Sequence, residues 1–305
     1  MKKRNITLML LMAAAAAAFD GGISGPVSGM VFLPEEGAIR PVLGVPGSAW
    51  LGEPLASGLD LASVAPDGKR AVAARNGRLY EISLNGIEAV RWRDIGAAPE
   101  GLNRVVWSAD ASAAAIVSSA RGAVQVFRGG EVTPSCSLPG AVLSAAIDGS
   151  GNVAAGVEGE GLYLCRDGAA RLVSRNPKVS AIAITGQDLY LTDGTLGQLM
   201  AIRGYKNEGD ATVMAAVEDP VGLAVSGDGT RLAVASGASR AVTVFDLATA
   251  AAVQTVELEF TPTGADRFSG AALWLLNRGA QGPLQLLELS REVNVYFVPA
   301  GRGDQ

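Results

Sequence analysis

Between Pro220 and Leu258 the chain packs four short strand patterns and three turn signals into one unit, and weaker copies of that unit recur about every 40 residues from Leu59 onward. Each copy opens on an apolar strand, passes a Gly/Asp turn, and continues into a second strand of small and branched apolar residues. Asp67-Gly68, Gly149-Ser150-Gly151, Gly186-Gln187-Asp188 and Asp228-Gly229 supply residues that tolerate the positive φ of tight hairpins. Ala109-Asp110 and Ser269-Gly270 hold the matching places in the other two copies. Second strands at 71–74, 113–118, 153–157, 189–192, 232–235 and 272–276 are near-continuous apolar runs, as expected of strands covered on both faces. Third strands, such as Val242 to Leu247, alternate; fourth strands, such as Val253 to Leu258, are more polar and belong on a rim. Four antiparallel strands running from a buried inner edge to a solvated outer edge, repeated at fixed period, predict an all-β fold, the β-propeller. A sandwich shares the strand spacing but does not repeat one four-strand grammar six times.

Six repeats occupy residues 59–300 and leave 19–58, a stretch about one blade long. Ser28 to Leu33 and Ile39 to Leu43 form a strand pair around Pro34-Glu35-Glu36-Gly37, while a first, inner strand is hard to find. Two readings follow: a degenerate first blade in a seven-bladed ring, or a hairpin capping a six-bladed one. Seven is favoured, because an open ring exposes strand edges and an apolar face, and a unit of blade length closes it best. The domain expectation is thus a leader over 1–18, one propeller over 19–300 with 19–58 as an atypical first blade, and a disordered tail over 301–305.

The leader has its own pattern. Lys2, Lys3 and Arg4 precede an apolar run from Ile6 through Ala18, broken only by Thr7 and ending in small residues. That is a secretory signal-peptide pattern, with cleavage expected near Ala18 and export to a periplasmic or extracellular setting. An uncleaved anchor is the alternative, but the run is shorter than the roughly 20 residues of a membrane-spanning helix. Of 25 basic and 30 acidic residues the leader removes three basic ones, taking the net charge from −5 to about −8. A mature chain of that charge, with no basic run, is unsuited to nucleic acid, and it has no basic amphipathic stretch for a membrane surface. A monomer without membrane insertion is expected. An exported setting permits a disulfide between the two cysteines, Cys136 at the start or lead-in of an outer strand and Cys165 on the third strand of the next blade. Two buried thiols are the other outcome.

One resemblance is specific enough to name. The run Val221-Gly222-Leu223-Ala224-Val225-Ser226-Gly227-Asp228-Gly229-Thr230-Arg231-Leu232-Ala233-Val234-Ala235, followed by Val242-Thr243-Val244-Phe245-Asp246, resembles the YVTN family of β-propeller repeats. Lys178 to Gly204 is closer to an NHL-type repeat. Both lie within the wider WD40-like group, although the Gly-His and Trp-Asp pairs of WD40 repeats are missing here. The resemblance implies a fold and a broad range of extracellular and periplasmic binding roles, and a fold does not fix a function.

The sequence contains no histidine. Ser-His-Asp and Cys-His catalysis, a histidine general base, and His-containing zinc or haem sites are therefore excluded. Two cysteines cannot build an iron–sulfur cluster, and no phosphate-cradling glycine loop opens a helix; the glycines read as hairpin turns. Oxygen chemistry remains. The loops between second and third strands, and those between blades, cluster around a propeller's channel. They present Asn103, Arg104, Glu158, Asp193, Asp219, Arg240 and Asn277 as candidate binding residues, with Asp266 and Arg267 in the last inter-blade loop. Glu158, Asp193 and Asp219 are the candidate ligands for Ca²⁺ or Mg²⁺, hard cations that take oxygen donors. The competing reading gives these Asn, Asp and Ser residues to turn capping. Aromatic residues make up only 5% of the chain, which weakens a carbohydrate platform, and Trp107 and Trp274 fall in apolar inner strands. Arg302-Gly303-Asp304 resembles an integrin motif but is explained as well by a loose tail.

The function read from the sequence is a secreted, non-enzymatic propeller that binds a protein partner or small ligand through one face. A metal-dependent lactonase or ester hydrolase is the alternative, with carboxylates holding a cation that activates water. A quinone-dependent dehydrogenase is weaker, because its cofactor wants more aromatic blades.

Overall fold

The computed structural model describes residues 26–87, 90–207, 209–269, 272–277 and 283–299. The leader and its cleavage point, Gly270, Arg278 and the Arg302-Gly303-Asp304 tail lie outside them. Seven antiparallel sheets, each built from strands consecutive in sequence, follow one another along the chain. Their innermost strands are Val27–Leu33, Leu61–Val64, Arg104–Trp107, Val142–Ile147, Val179–Thr185, Pro220–Val225 and Asp266–Ser269. Six sheets have four strands and the first has three, Val27–Leu33, Ala38–Val45 and Ser48–Leu51, among the described residues.

The ring is held by seven apolar seams, one between each pair of neighbouring blades. In the seam of blades 5 and 6, Tyr190 and Leu199 pack on Leu223, Leu232, Val234 and Phe245. Closure follows the same rule: Val31, Leu33, Val42 and Leu51 of blade 1 pack on Phe268, Leu275, Leu284 and Leu286 of blade 7. Burying each such side chain contributes roughly 1.5–3 kcal/mol, so face packing supplies the closure with no strand exchanged between first and last blades among the described residues.

The seven-bladed reading stands, with a correction to the first blade. Its inner strand is Val27–Leu33 itself, whose Met30, Val31 and Leu33 are buried against blades 2 and 7; the strand it lacks is the outer, fourth one. The pair around Pro34 to Gly37 is thus first and second strand, and the inner strand that was hard to find is its first member. Outer strands were the least legible elsewhere too. That of blade 2 runs over Arg91–Ala97, and its mostly exposed or half-buried residues carry little hydrophobic pattern.

Polar turns fix the hairpins. In blades 3 and 6 the same device appears: Ser108 and Ser226 hydroxyls donate to Asp110 and Asp228 Oδ1 at 2.6 Å, while Ser112 and Thr230 donate to the same oxygens through backbone and hydroxyl. The hydrogen bond from Ser226, then those from Thr230, hold Asp228's pKa down at about 2. Asp148, in the blade 4 turn, reaches across the seam to blade 5, accepting from Tyr205 at 2.8 Å and pairing with Lys206 at 2.6 Å. Burial alone would raise its pKa, but Lys206, Asn152 and Tyr205 together hold it at about 2.

Cys136 and Cys165 form a disulfide with Cα atoms 5.7 Å apart. Cys136 sits near the end of the outer strand Glu131–Ser137 of blade 3, not at its start, and Cys165 on the third strand Gly161–Arg166 of blade 4. The bond therefore crosses a seam, inside the cluster formed by Val117, Val124, Val142 and Val157.

Two glycines correct the turn reading. Gly156 and Gly222 lie within strands, where the absence of a side chain lets neighbouring blades approach. A Cβ on Gly156 would lie 2.6 Å from Ser144 Oγ and 2.8 Å from the Val179 carbonyl oxygen.

Candidate functional site

A cavity of about 390 Å³ runs down the axis of the ring, with residues of all seven inner strands in its wall. Each inner strand begins at the end where blades connect and second strands turn into third, so the residues around each strand start define one mouth. There the wall carries Asp60, Asn103, Arg104, Asp266, Arg267 and Asn277. Further down it is apolar, with Val64, Ile147, Ile182, Ile184 and Val225, and it ends near Pro34, Pro66 and Ala109 at the opposite turns. Ser63, Ser144 and Ser180 add hydroxyls along the way.

The mouth is braced by side chains that bond to loop backbone. Asp60 Oδ2 accepts from the Asn76 amide at 2.8 Å, and Asn103 Oδ1 accepts from the Ser119 amide at 3.1 Å, so each ties an inter-blade loop to the second-to-third-strand turn of its own blade. Asn277 does the equivalent in blade 7, accepting from the Gln285 amide at 2.7 Å and donating to the Pro283 carbonyl at 3.1 Å. Arg104 spans a seam, donating to the Leu143 carbonyl of blade 4 at 3.0 Å.

Arg267 and Trp274 are direct cross-strand partners on blade 7, with the guanidinium 4.4 Å from the indole centroid. Burial pulls the Arg267 pKa below the usual arginine range. Trp274 is 6% exposed, and its indole Nε1 has no hydrogen-bond partner among the described residues. Trp107 offers the contrast: its Nε1 donates to the Ser63 carbonyl at 3.0 Å. Side chains alternate across a strand, so Asp266, paired with Leu275, faces the blade 1 seam while Arg267 faces blade 6.

Of the residues singled out from sequence, the channel gathers Asn103, Arg104 and Asn277, together with Asp266 and Arg267. The rest lie elsewhere. Glu158 is exposed on the turn of blade 4, and Asp219 and Arg240 are exposed at positive φ (41° and 47°) in the loops of blade 6. Asp193 is fully buried, its Oδ1 accepting from the Thr195 and Leu196 amides at 2.8 and 2.9 Å. Its Oδ2 has no partner among the described residues, but Asp193 does not line the cavity. Glu158, Asp193 and Asp219 do not converge, and no three Asp, Glu, Cys or His residues among those described form a group able to hold a metal ion. Sequence reasoning missed Asp60, Ser63, Ser144 and Ser180. The available signal was position: each lies just before or within an inner strand, and the inner strands line the axis.

The sequence matches no protein-family model and no curated protein. The fold does match solved structures. A functionally unknown protein from Desulfotomaculum acetoxidans DSM 771 aligns with a TM-score of 0.65 at 15% identity, over 90% of this chain and 97% of that one. A catalytically inactive virginiamycin B lyase from Staphylococcus aureus, solved with quinupristin, aligns at 0.58 and 14%, over 78% and 83%. Kuenenia stuttgartiensis hydrazine synthase aligns at 0.55 and 13%, over 92% and 98%. At these identities the likeness establishes the propeller and nothing finer.

Proposed function

We propose that this chain is an exported, non-enzymatic propeller that binds a small molecule at the mouth of its axial channel. The observation that carries the reading is the channel itself: a cavity of about 390 Å³ with polar groups at one mouth and an apolar wall below. Ligand sites are typically concave spaces of roughly 300–1,000 Å³, mostly apolar with a few fixed polar groups. The braced mouth supports pre-organisation, since Asp60, Asn103 and Asn277 are already committed to holding loops. Export is supported by the basic-then-apolar N-terminal sequence and by a disulfide that an oxidising compartment would preserve.

Filling the channel tests the reading. Ser63 is half-buried and lines the cavity, so Ser63→Trp places an indole in the ligand's space. In a saturation-transfer NMR screen of small amphipathic fragments, wild-type protein is expected to give hits that Ser63→Trp loses at least 10-fold in affinity. Hits of equal strength on both proteins, with both folded by circular dichroism, would place binding elsewhere and defeat the proposal.

A further inference from the structure

We infer that the ligand presents a neutral carbonyl oxygen to the buried indole N–H of Trp274, on the blade 7 side of the mouth, with its apolar body directed down the channel. The inference rests on the channel being the binding site and adds the chemical class of the ligand, a ketone, ester or amide.

The channel wall decides which group is left to meet a ligand. Asp60, Asn103 and Asn277 hold loop backbone, the Ser144 hydroxyl donates to the Val179 carbonyl at 2.7 Å, and that of Ser180 shares a hydrogen bond with the Thr192 hydroxyl at 2.9 Å. Of the described residues that bury a side-chain polar atom without a partner, Trp274 alone lines the channel. Trp107, also in the wall, isolates the difference. Each indole carries a guanidinium over its ring, Arg70 at 5.6 Å and Arg267 at 4.4 Å, but among the described residues only the Trp107 N–H has an acceptor, the Ser63 carbonyl at 3.0 Å. Arg267 is engaged with the ring and acts here by holding its plane, not as a group for the ligand to pair with. A buried donor left unmade is costly, so an oxygen that reaches it gains a hydrogen bond without breaking one already made. A ligand carbonyl does for Trp274 what the Ser63 carbonyl does for Trp107. One N–H asks for one acceptor and no charge, and a neutral carbonyl loses far less hydration on entering than a carboxylate does. Below the mouth, Val64, Ile147, Ile182 and Ile184 accommodate an aliphatic or ring body.

The test compares cyclohexanone with methylenecyclohexane, which share a shape and differ in carrying a carbonyl oxygen or a methylene carbon. Binding is followed on ¹⁵N-labelled protein through the backbone amides of the inner strands and the indole N–H of Trp274, assigned by through-bond correlation. Cyclohexanone is expected to shift the Trp274 indole resonance downfield in the wild-type protein, a readout that depends on no variant, and methylenecyclohexane is expected not to. Trp274→Phe is expected to weaken cyclohexanone by about 5-fold, the worth of one hydrogen bond, and to leave methylenecyclohexane within about 2-fold. An indole resonance that responds equally to the two ligands while the channel amides move, or an equal loss of both on Trp274→Phe, would overturn the carbonyl while leaving the channel as a small-molecule site. Should neither ligand move the channel amides, both proposals fall.

Discussion

Replacing Gly222 with alanine is expected to destabilise the protein by about 2–4 kcal/mol, a large loss for adding a single methyl group. The added Cβ would collide with the backbone nitrogen of Ala265 and would lie 2.5 Å from the Gly264 carbonyl carbon and 2.8 Å from Ala265 Cβ. Two of these atoms are backbone, so no rotamer change relieves the overlap; the inner strand of blade 6 or the lead-in of blade 7 must move. Either movement opens the seam in which Trp274, Leu276 and Leu287 are buried against Val242 and Val244. Gly264→Ala is the matched control, since its Cβ would meet nothing within 4 Å, and it should change stability by less than about 0.5 kcal/mol. Urea unfolding followed by tryptophan fluorescence measures both. Equal midpoints for Gly222→Ala and wild type would show that the blades do not approach so closely.

Removing the disulfide is expected to cost a similar amount by a different route. Cys136 and Cys165 are separated by 29 residues in sequence, and closing a loop of that length restricts the unfolded chain by about 3–4 kcal/mol on the chain-entropy account. The double variant Cys136→Ala/Cys165→Ala should therefore unfold at lower urea, and a reductant should lower the wild-type midpoint while leaving the variant's unchanged. Because the bond ties the outer strand of blade 3 to the third strand of blade 4, the loss should appear in hydrogen exchange at that seam before it appears in the opposite half of the ring. Free thiols in the oxidised, purified protein, or a midpoint insensitive to reductant, would contradict the bond.

Most of the ring was legible in the sequence because its blades share one cause. Inner and second strands are covered on both faces, so runs such as 113–118 and 232–235 are almost wholly apolar, and the turns between them need Asp and Gly. The first blade was less legible because it has three strands among the described residues, so its inner strand, Val27–Leu33, was seen as half of a strand pair and not as the start of a blade. The site was harder to read for a further reason. Glu158, Asp193 and Asp219 are loop carboxylates of the type that holds a cation, yet exposure, backbone capping and a positive-φ turn account for where they lie. The channel instead gathers residues whose chemistry is unremarkable in sequence, such as Ser63 and Asp60, because seven inner strands bring them to one axis. Trp274 looked like core from its apolar setting, and it is buried; only the structure reveals that its N–H lacks an acceptor among the described residues while that of Trp107 does not.

The central claim, that the axial channel is where a ligand binds, is tested most directly by crystal structures of the purified protein soaked separately with octanoate and octanamide. The predicted result is electron density within the channel in at least one of the two crystals, with the aliphatic chain among Val64, Ile147 and Ile182 and the head group at the polar mouth. A channel without either molecule, or density only on the outer rim of the blades, would contradict it.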